Sequence, residues 1–165
     1  MSDYISSQLL TTSINVLTKN IQGDINKTLY KLLSKKYEGV CNKDGYVQKD
    51  SLQIINRSIG EVKTINNTSY IVYNITYKGN IYSPVKQTRF NIIVNSITKM
   101  GIVGYLKDKE DDTIENSPFI VIVPKEYFNE GSIEDISVND SLKVEVIDSR
   151  IKYMSKNIQI VAKPV

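Results

Sequence analysis

The sequence predicts two parts in tandem: an α+β unit with one helix on a small antiparallel sheet, then an all-β barrel. Three observations predict it. One amphipathic helix pattern lies near the N-terminus, between Gly23-Asp24 and Gly39. A clean two-residue alternation runs from Tyr70 to Tyr77. Beyond Ser83-Pro84, short apolar runs separated by turn signals follow one another with no second helix pattern.

In order along the chain, Leu10 to Val16 is rich in Thr, Ile and Val and reads as a strand. Asp24 is placed to cap a helix, because its carboxylate can accept from the free N–H groups of the first turn. Ile25, Leu29, Leu32 and Leu33 then form one apolar stripe, with Lys27, Lys31, Lys35 and Lys36 mostly off it. Lys35 and Lys36 suit the negative end of the helix dipole, and Gly39 suits the position just past the end. Asp44-Gly45 and Asn66-Asn67 are turn signals, with strand-like residues from Ser51 to Ile59 between them. In the alternating stretch, Ile71, Tyr73, Ile75 and Tyr77 share one face. Lys78-Gly79-Asn80 is expected to turn the chain into Ile81-Tyr82.

The second part begins after Ser83-Pro84, which sets expected domains at 1–84 and 85–165. Five strands are predicted: Arg89 to Ile97, Gly101 to Leu106, Phe119 to Val123, Leu142 to Asp148, and Asn157 to Ala162. Pro124 to Phe128 reads as one helical turn between the third and fourth. That arrangement is the architecture of an OB-fold barrel. The charged stretch Lys107 to Ser117 is expected to be a solvated, mobile loop.

Composition excludes much chemistry. There is no His, and Cys41 is the only Cys. A His/Cys zinc site and any triad needing a His base are excluded. No disulfide can form within the chain. Cys41 itself reads as a small buried hydrophobe, since nothing around it in sequence supports a redox or metal role. Asp108, Glu110, Asp111, Asp112 and Glu115 do not have the spacing of a calcium loop. No cofactor and no metal are expected. Met1 to Leu10 carries Asp3 and no Lys or Arg, so no secretory signal is read there. The longest apolar run, Phe119 to Val123, is far too short to span a bilayer, so no membrane partner is expected. Net charge is only +3, so any nucleic-acid contact should be local and salt-sensitive. Ala162 is the only Ala and three of 21 basic residues are Arg, the usage of an AT-rich genome.

Several segments carry a family resemblance. The helix runs into Tyr37-Glu38-Gly39-Val40-Cys41, then a turn and Gly45-Tyr46-Val47. Val72 to Tyr77 and Tyr82-Ser83-Pro84-Val85-Lys86 follow, then Ile97 to Ile102, Phe119 to Phe128, and Asp140 to Val146. In this order and spacing the chain resembles the stalk subunits of multisubunit DNA-directed RNA polymerases: the seventh subunit of RNA polymerase II and its archaeal counterpart. The resemblance covers nearly the whole chain. It departs at Gln87, Thr88 and Ile92, where family members keep a Gly-Glu pair and a further Gly. The AT-rich usage and this divergence point to a copy from a large DNA virus.

The resemblance implies a non-catalytic subunit. Its first domain is a tip that docks on the large polymerase subunits near the clamp, through Glu38, Gly39, Val40, Cys41, Asp44, Gly45 and Tyr46. Its second is an OB-fold domain that contacts nascent single-stranded RNA. For that contact the candidate residues are Lys99, Tyr105, Lys107, Lys125, Tyr127, Arg150 and Lys152, with aromatic rings stacking on bases and cations meeting phosphates. Phe119 and Phe128 are further aromatics of this kind, and Phe119 is expected to be buried. A fourth-subunit-like partner is implied as well. The expected location is the nucleus for a cellular protein, and the virion or a cytoplasmic virus factory for a viral one. The alternative reading is a free-standing OB-fold RNA-binding protein of translation or RNA decay. It accounts for the second half and leaves the first unassigned. A small hydrolase built on Ser and Lys has no recognisable pocket in the sequence.

Overall fold

Asp24 starts the one α-helix found among the described residues, as the sequence predicts. Its side chain accepts the Asn26 N–H at 2.9 Å, and α1 (Ile25–Tyr37) follows. Glu38 caps the other end, and Gly39 beyond it takes φ +73°, the left-handed conformation that glycine adopts without strain. The structure is a computed structural model and describes residues 3–21, 23–129 and 132–165.

The strands in chain order are β1 (Ile5–Leu17), β2 (Tyr46–Val47), β3 (Gln53–Arg57), β4 (Glu61–Ile65), β5 (Thr68–Tyr82), β6 (Arg89–Thr98), β7 (Gly101–Tyr105), β8 (Phe119–Pro124), β9 (Ser141–Arg150) and β10 (Ile158–Pro164). By internal contact they fall into two units interleaved along the chain. One comprises Ser7–Glu38 and Val47–Ile81; the other comprises Met1–Ser6, Gly39–Tyr46 and Tyr82–Val165.

The first, helix-bearing unit is an antiparallel sheet organised around β5. β5 lies between β1 and β2, and β3 and β4 also pair with it. Leu29 and Leu33 of α1 are fully buried against Ile14, Val16, Tyr73, Ile75 and Tyr77. The face predicted from alternation is therefore the core face. Each fully buried Leu contributes about 1.5–3 kcal/mol through the water it sheds. Asn66 and Asn67 both have positive φ and close the β4–β5 hairpin as a tight two-residue turn.

Two expectations are corrected here. Lys78-Gly79-Asn80 does not turn: β5 runs straight through it to Tyr82. Gly79 is there for room, since a Cβ would lie 2.6 Å from the Leu52 side chain. β4 was not expected at all. All five of its residues are exposed, so it lacks the alternation that marks a half-buried strand.

The second, barrel unit closes on itself in the order β10-β8-β7-β6-β9, with β9 pairing back to β10. β8 and β10 are parallel and the other neighbours are antiparallel. Lys125–Tyr127 forms a 3-10 turn between the third and fourth barrel strands, as the sequence predicts. This is the strand order and helical turn of an OB fold. Inside the ring, Phe90, Ile92, Val94, Ile102, Phe119, Val121, Val123, Val144, Val146, Ile158 and Ile160 are buried. Across the outside, Arg89, Glu145 and Lys163 stand opposite one another on β6, β9 and β10. Arg89 and then Lys163 hold the Glu145 carboxyl below its ordinary range.

The places where the resemblance departs have structural counterparts. Gln87 keeps a left-handed backbone, φ +73°, although it is not glycine. Ile92 is fully buried, and its side chain fills the space beside Gly104 across the hairpin, where a Cβ would lie 2.8 Å away. A bulky residue in β6 is thus matched by an absent one in β7.

Candidate nucleic-acid and docking site

Strand register places the predicted residues at two ends of the β7–β8 ladder. At one end Gly101 is opposite Pro124, and the Lys125 N–H donates to the Met100 carbonyl at 3.0 Å. Lys99, Lys125 and Tyr127 are gathered there, all exposed. The close approach depends on Gly101. Its φ is +142°, and a Cβ would sit 2.2 Å from the Val123 carbonyl oxygen.

At the other end, Tyr105 is opposite Ile120, which is opposite Gln159, which is opposite Arg150. Adjacent strands are about 4.8 Å apart, so Tyr105 and Arg150 lie three strand spacings apart on one outer row. Tyr105 is half-buried; Lys107, Arg150 and Lys152 are exposed. Arg150 and Lys152 line a cleft of about 160 Å³ with Ser155, Asn157 and Gln159. Sequence reasoning missed these three. It also missed Tyr153, 64% exposed on the same β9–β10 loop. Its signal was present in Arg150-Ile151-Lys152-Tyr153-Met154-Ser155-Lys156, an aromatic residue set among cations. Of the other aromatics weighed, Phe119 is fully buried in the barrel and Phe128 is partly buried against it.

The predicted docking loop belongs to this same end. Cys41 donates its N–H to Ser155 at 2.8 Å, and its carbonyl accepts from the Met154 N–H at 2.8 Å. The Cys41 thiol lies 3.5 Å from the Asn157 carbonyl. Burial pushes its pKa up, so it stays a neutral thiol. Asn42 shapes the turn by accepting from the N–H groups of Asp44 and Gly45 at 2.7 and 3.0 Å. Tyr46 packs edge-on against Tyr82, 5.9 Å between centroids. Burial first, then Cys41 and Asp112, pushes its phenol up to about 12. Cys41, Gly45 and Tyr46 are thus buried. Glu38, Gly39, Val40 and Asp44 are intermediate, and Lys43 is exposed.

The charged loop after β7 also borders this end. It is exposed over most of its length, as expected, but it is built rather than loose. The Asp112 carboxylate accepts from the N–H groups of Asp108 and Lys109 at 2.9 and 2.7 Å. Asp108 in turn bonds the Tyr82 hydroxyl. Ser117 is buried and donates to the Leu106 carbonyl at 2.6 Å. Asp112 is therefore occupied by backbone donors. Among the described residues, no cluster of three or more His, Cys, Asp or Glu is arranged to hold a metal ion.

No family model matches the chain. It is similar to a protein of Acanthamoeba polyphaga mimivirus whose name gives it as a candidate DNA-directed RNA polymerase subunit. The two are 26% identical over 167 aligned positions, covering 93% of this chain and 78% of that protein.

Proposed function

We propose that this chain is a non-catalytic, stalk-type subunit of a viral DNA-directed RNA polymerase. One observation carries the reading: the similarity to the mimivirus protein covers 93% of the chain, and so includes both units. A match resting on the barrel alone would favour a generic RNA-binding protein. The α+β unit with a single helix and the closed barrel are the two parts expected of a stalk subunit.

In this reading the part up to residue 84 docks on the large polymerase subunits near the clamp. The rim of the loop from Glu38 to Tyr46 makes part of that contact. Cys41 and Tyr46 hold the loop's base rigid, leaving Lys43 and the partly exposed Glu38 and Asp44 to meet a partner. A fourth-subunit-like partner would cover further surface. The barrel contacts nascent RNA weakly, through Tyr105, Lys107, Arg150 and Lys152 at one end and Lys99, Lys125 and Tyr127 at the other. Arg150 and Lys152 supply phosphate contacts beside an exposed ring, the pairing that single-strand binding uses.

The test is affinity purification of the tagged chain from cells or virions that make it. The expected result is recovery of the two largest polymerase subunits. Recovery of RNA or ribosomal proteins without them would replace this reading with the free-standing RNA-binding one.

A further inference from the structure

The net charge of +3 conceals an uneven division. The helix-bearing unit has nine Lys and Arg against four Asp and Glu, a net +5. The barrel unit has twelve against fourteen, a net −2. The barrel cations at Lys107 and Arg150 also share their end with the acidic loop Asp108 to Glu115. Lys107 adjoins that loop directly in sequence, well within a screening length of about 10 Å, so the acids lower its pull on a polyanion. The largest basic excess lies in the other unit.

That excess is concentrated on α1. Leu29 and Leu33 fix the buried side, so Lys27, Lys31 and Lys35 share the opposite side at four-residue steps, about 6 Å apart along the axis. All three are exposed, and among the described residues none has an ion-pair partner. Solubility alone explains a lysine on an outer face. It does not explain this set. The helix holds no acid between Asp24 and Glu38, and like charges four residues apart weaken a helix. Lys35 suits the helix C-terminus, but Lys27 sits in the first turn, where the dipole disfavours a cation.

Beside the stripe is a shallow depression lined by Asn26, Tyr30, Ile54, Ile55, Asn56 and Arg57. Tyr30 is 39% exposed. Arg57 is held there by its Nε–H bond to the Asn26 side-chain oxygen at 2.7 Å, with its guanidinium 5.5 Å from the Tyr73 ring centroid. An exposed ring beside cations suits a stacked base over a phosphate track. The Asn56 amide offers both a donor and an acceptor. A base edge uses both, whereas a carboxylate uses only donors.

We propose that this face of α1, with Tyr30 and Arg57, binds single-stranded nucleic acid, and that it contributes more to polyanion affinity than the barrel ends. The proposal does not depend on the polymerase assignment, because the full chain alone is the reagent. The probe is a fluorescent oligouridylate, followed by anisotropy across a salt series. Three variants are compared: Lys27→Gln/Lys31→Gln/Lys35→Gln, Lys107→Gln/Arg150→Gln/Lys152→Gln, and Tyr30→Ala. All these side chains are exposed, so unchanged circular dichroism and melting should confirm an intact fold.

Loss of three lysine–phosphate contacts should weaken binding about tenfold or more at low salt and make the log K versus log salt slope shallower by about 2. The barrel triple should cost less, and Tyr30→Ala should cost several-fold with the slope unchanged. The proposal is overturned if the barrel triple costs more than the helix triple, or if no oligouridylate binding is measurable. Equal competition by polyglutamate of matched charge would overturn it too, assigning the face to an acidic protein.

Discussion

The two units solve the same problem, covering a β-sheet, in opposite ways. The barrel closes its ring, so every strand in it has two neighbours and no edge is left open. The helix-bearing unit stays open. Its core is covered by α1 on one side, while β4 pairs only with β5 and exposes all five of its residues. Just before β4, Ile59 is 90% exposed. Charge divides the same way, with the basic excess on the open unit. The ring leaves no strand edge open, whereas β4 in the other unit lies exposed along its whole length.

If each unit owns its core, mutations should separate them. Phe119→Ala should cost about 3–5 kcal/mol and Leu33→Ala about 2–5 kcal/mol, because each removes a fully buried side chain. Amide hydrogen exchange should show Phe119→Ala loosening Val121 and Ile160 first, and Leu33→Ala loosening Val16 and Ile75 first. Identical losses across both cores in both variants would break the comparison.

Next in size is the barrel's tightest backbone contact. Gly101→Ala should cost about 2–3 kcal/mol by chemical denaturation, because the Cβ meets a carbonyl rather than a flexible side chain. A neutral result would mean that the hairpin and the 3-10 turn are less closely apposed than described.

The loop from Gly39 to Tyr46 gives a pH test. The buried Tyr46 phenol titrates near 12 against an ordinary 10. Its contribution is therefore intact below about pH 10 and is lost as pH rises toward 12, by roughly 2 kcal/mol in all. Tyr46→Phe should flatten that alkaline decline. An unchanged alkaline limb in the variant would show that Tyr46 is not the group responsible.

The smallest effect is expected at Gln87. Its left-handed backbone strains a side-chain-bearing residue, so Gln87→Gly should raise stability by up to about 1 kcal/mol, offset in part by the greater freedom of the unfolded chain. A clear loss would mean that the side chain makes a contact outweighing the strain.

Much of this architecture was legible in the residues. The Asp24 cap, the Leu29 and Leu33 stripe and Gly39 are local signals, and they marked the helix correctly. The five barrel strands were legible because short apolar runs between turns have few other uses. Lys78-Gly79-Asn80 misled because a glycine that makes room looks the same in sequence as one that turns. The burial of Cys41 was legible as that of a small hydrophobe, but its bonds to Met154, Ser155 and Asn157, more than a hundred positions later, could not be read locally. Nor could the charge division, since the barrel unit borrows Gly39–Tyr46 from the middle of the other unit's sequence. Arg150 and Lys152 were found as cations, but the cleft they line with Ser155, Asn157 and Gln159 exists only once β9 and β10 pair.

The central claim is that this chain is a resident polymerase subunit. The most direct measurement is its copy number in polymerase purified through the largest subunit and washed at high salt, which strips contacts made only through exposed charge. The account predicts one copy of this chain per largest subunit. A trace amount lost in the wash would contradict it.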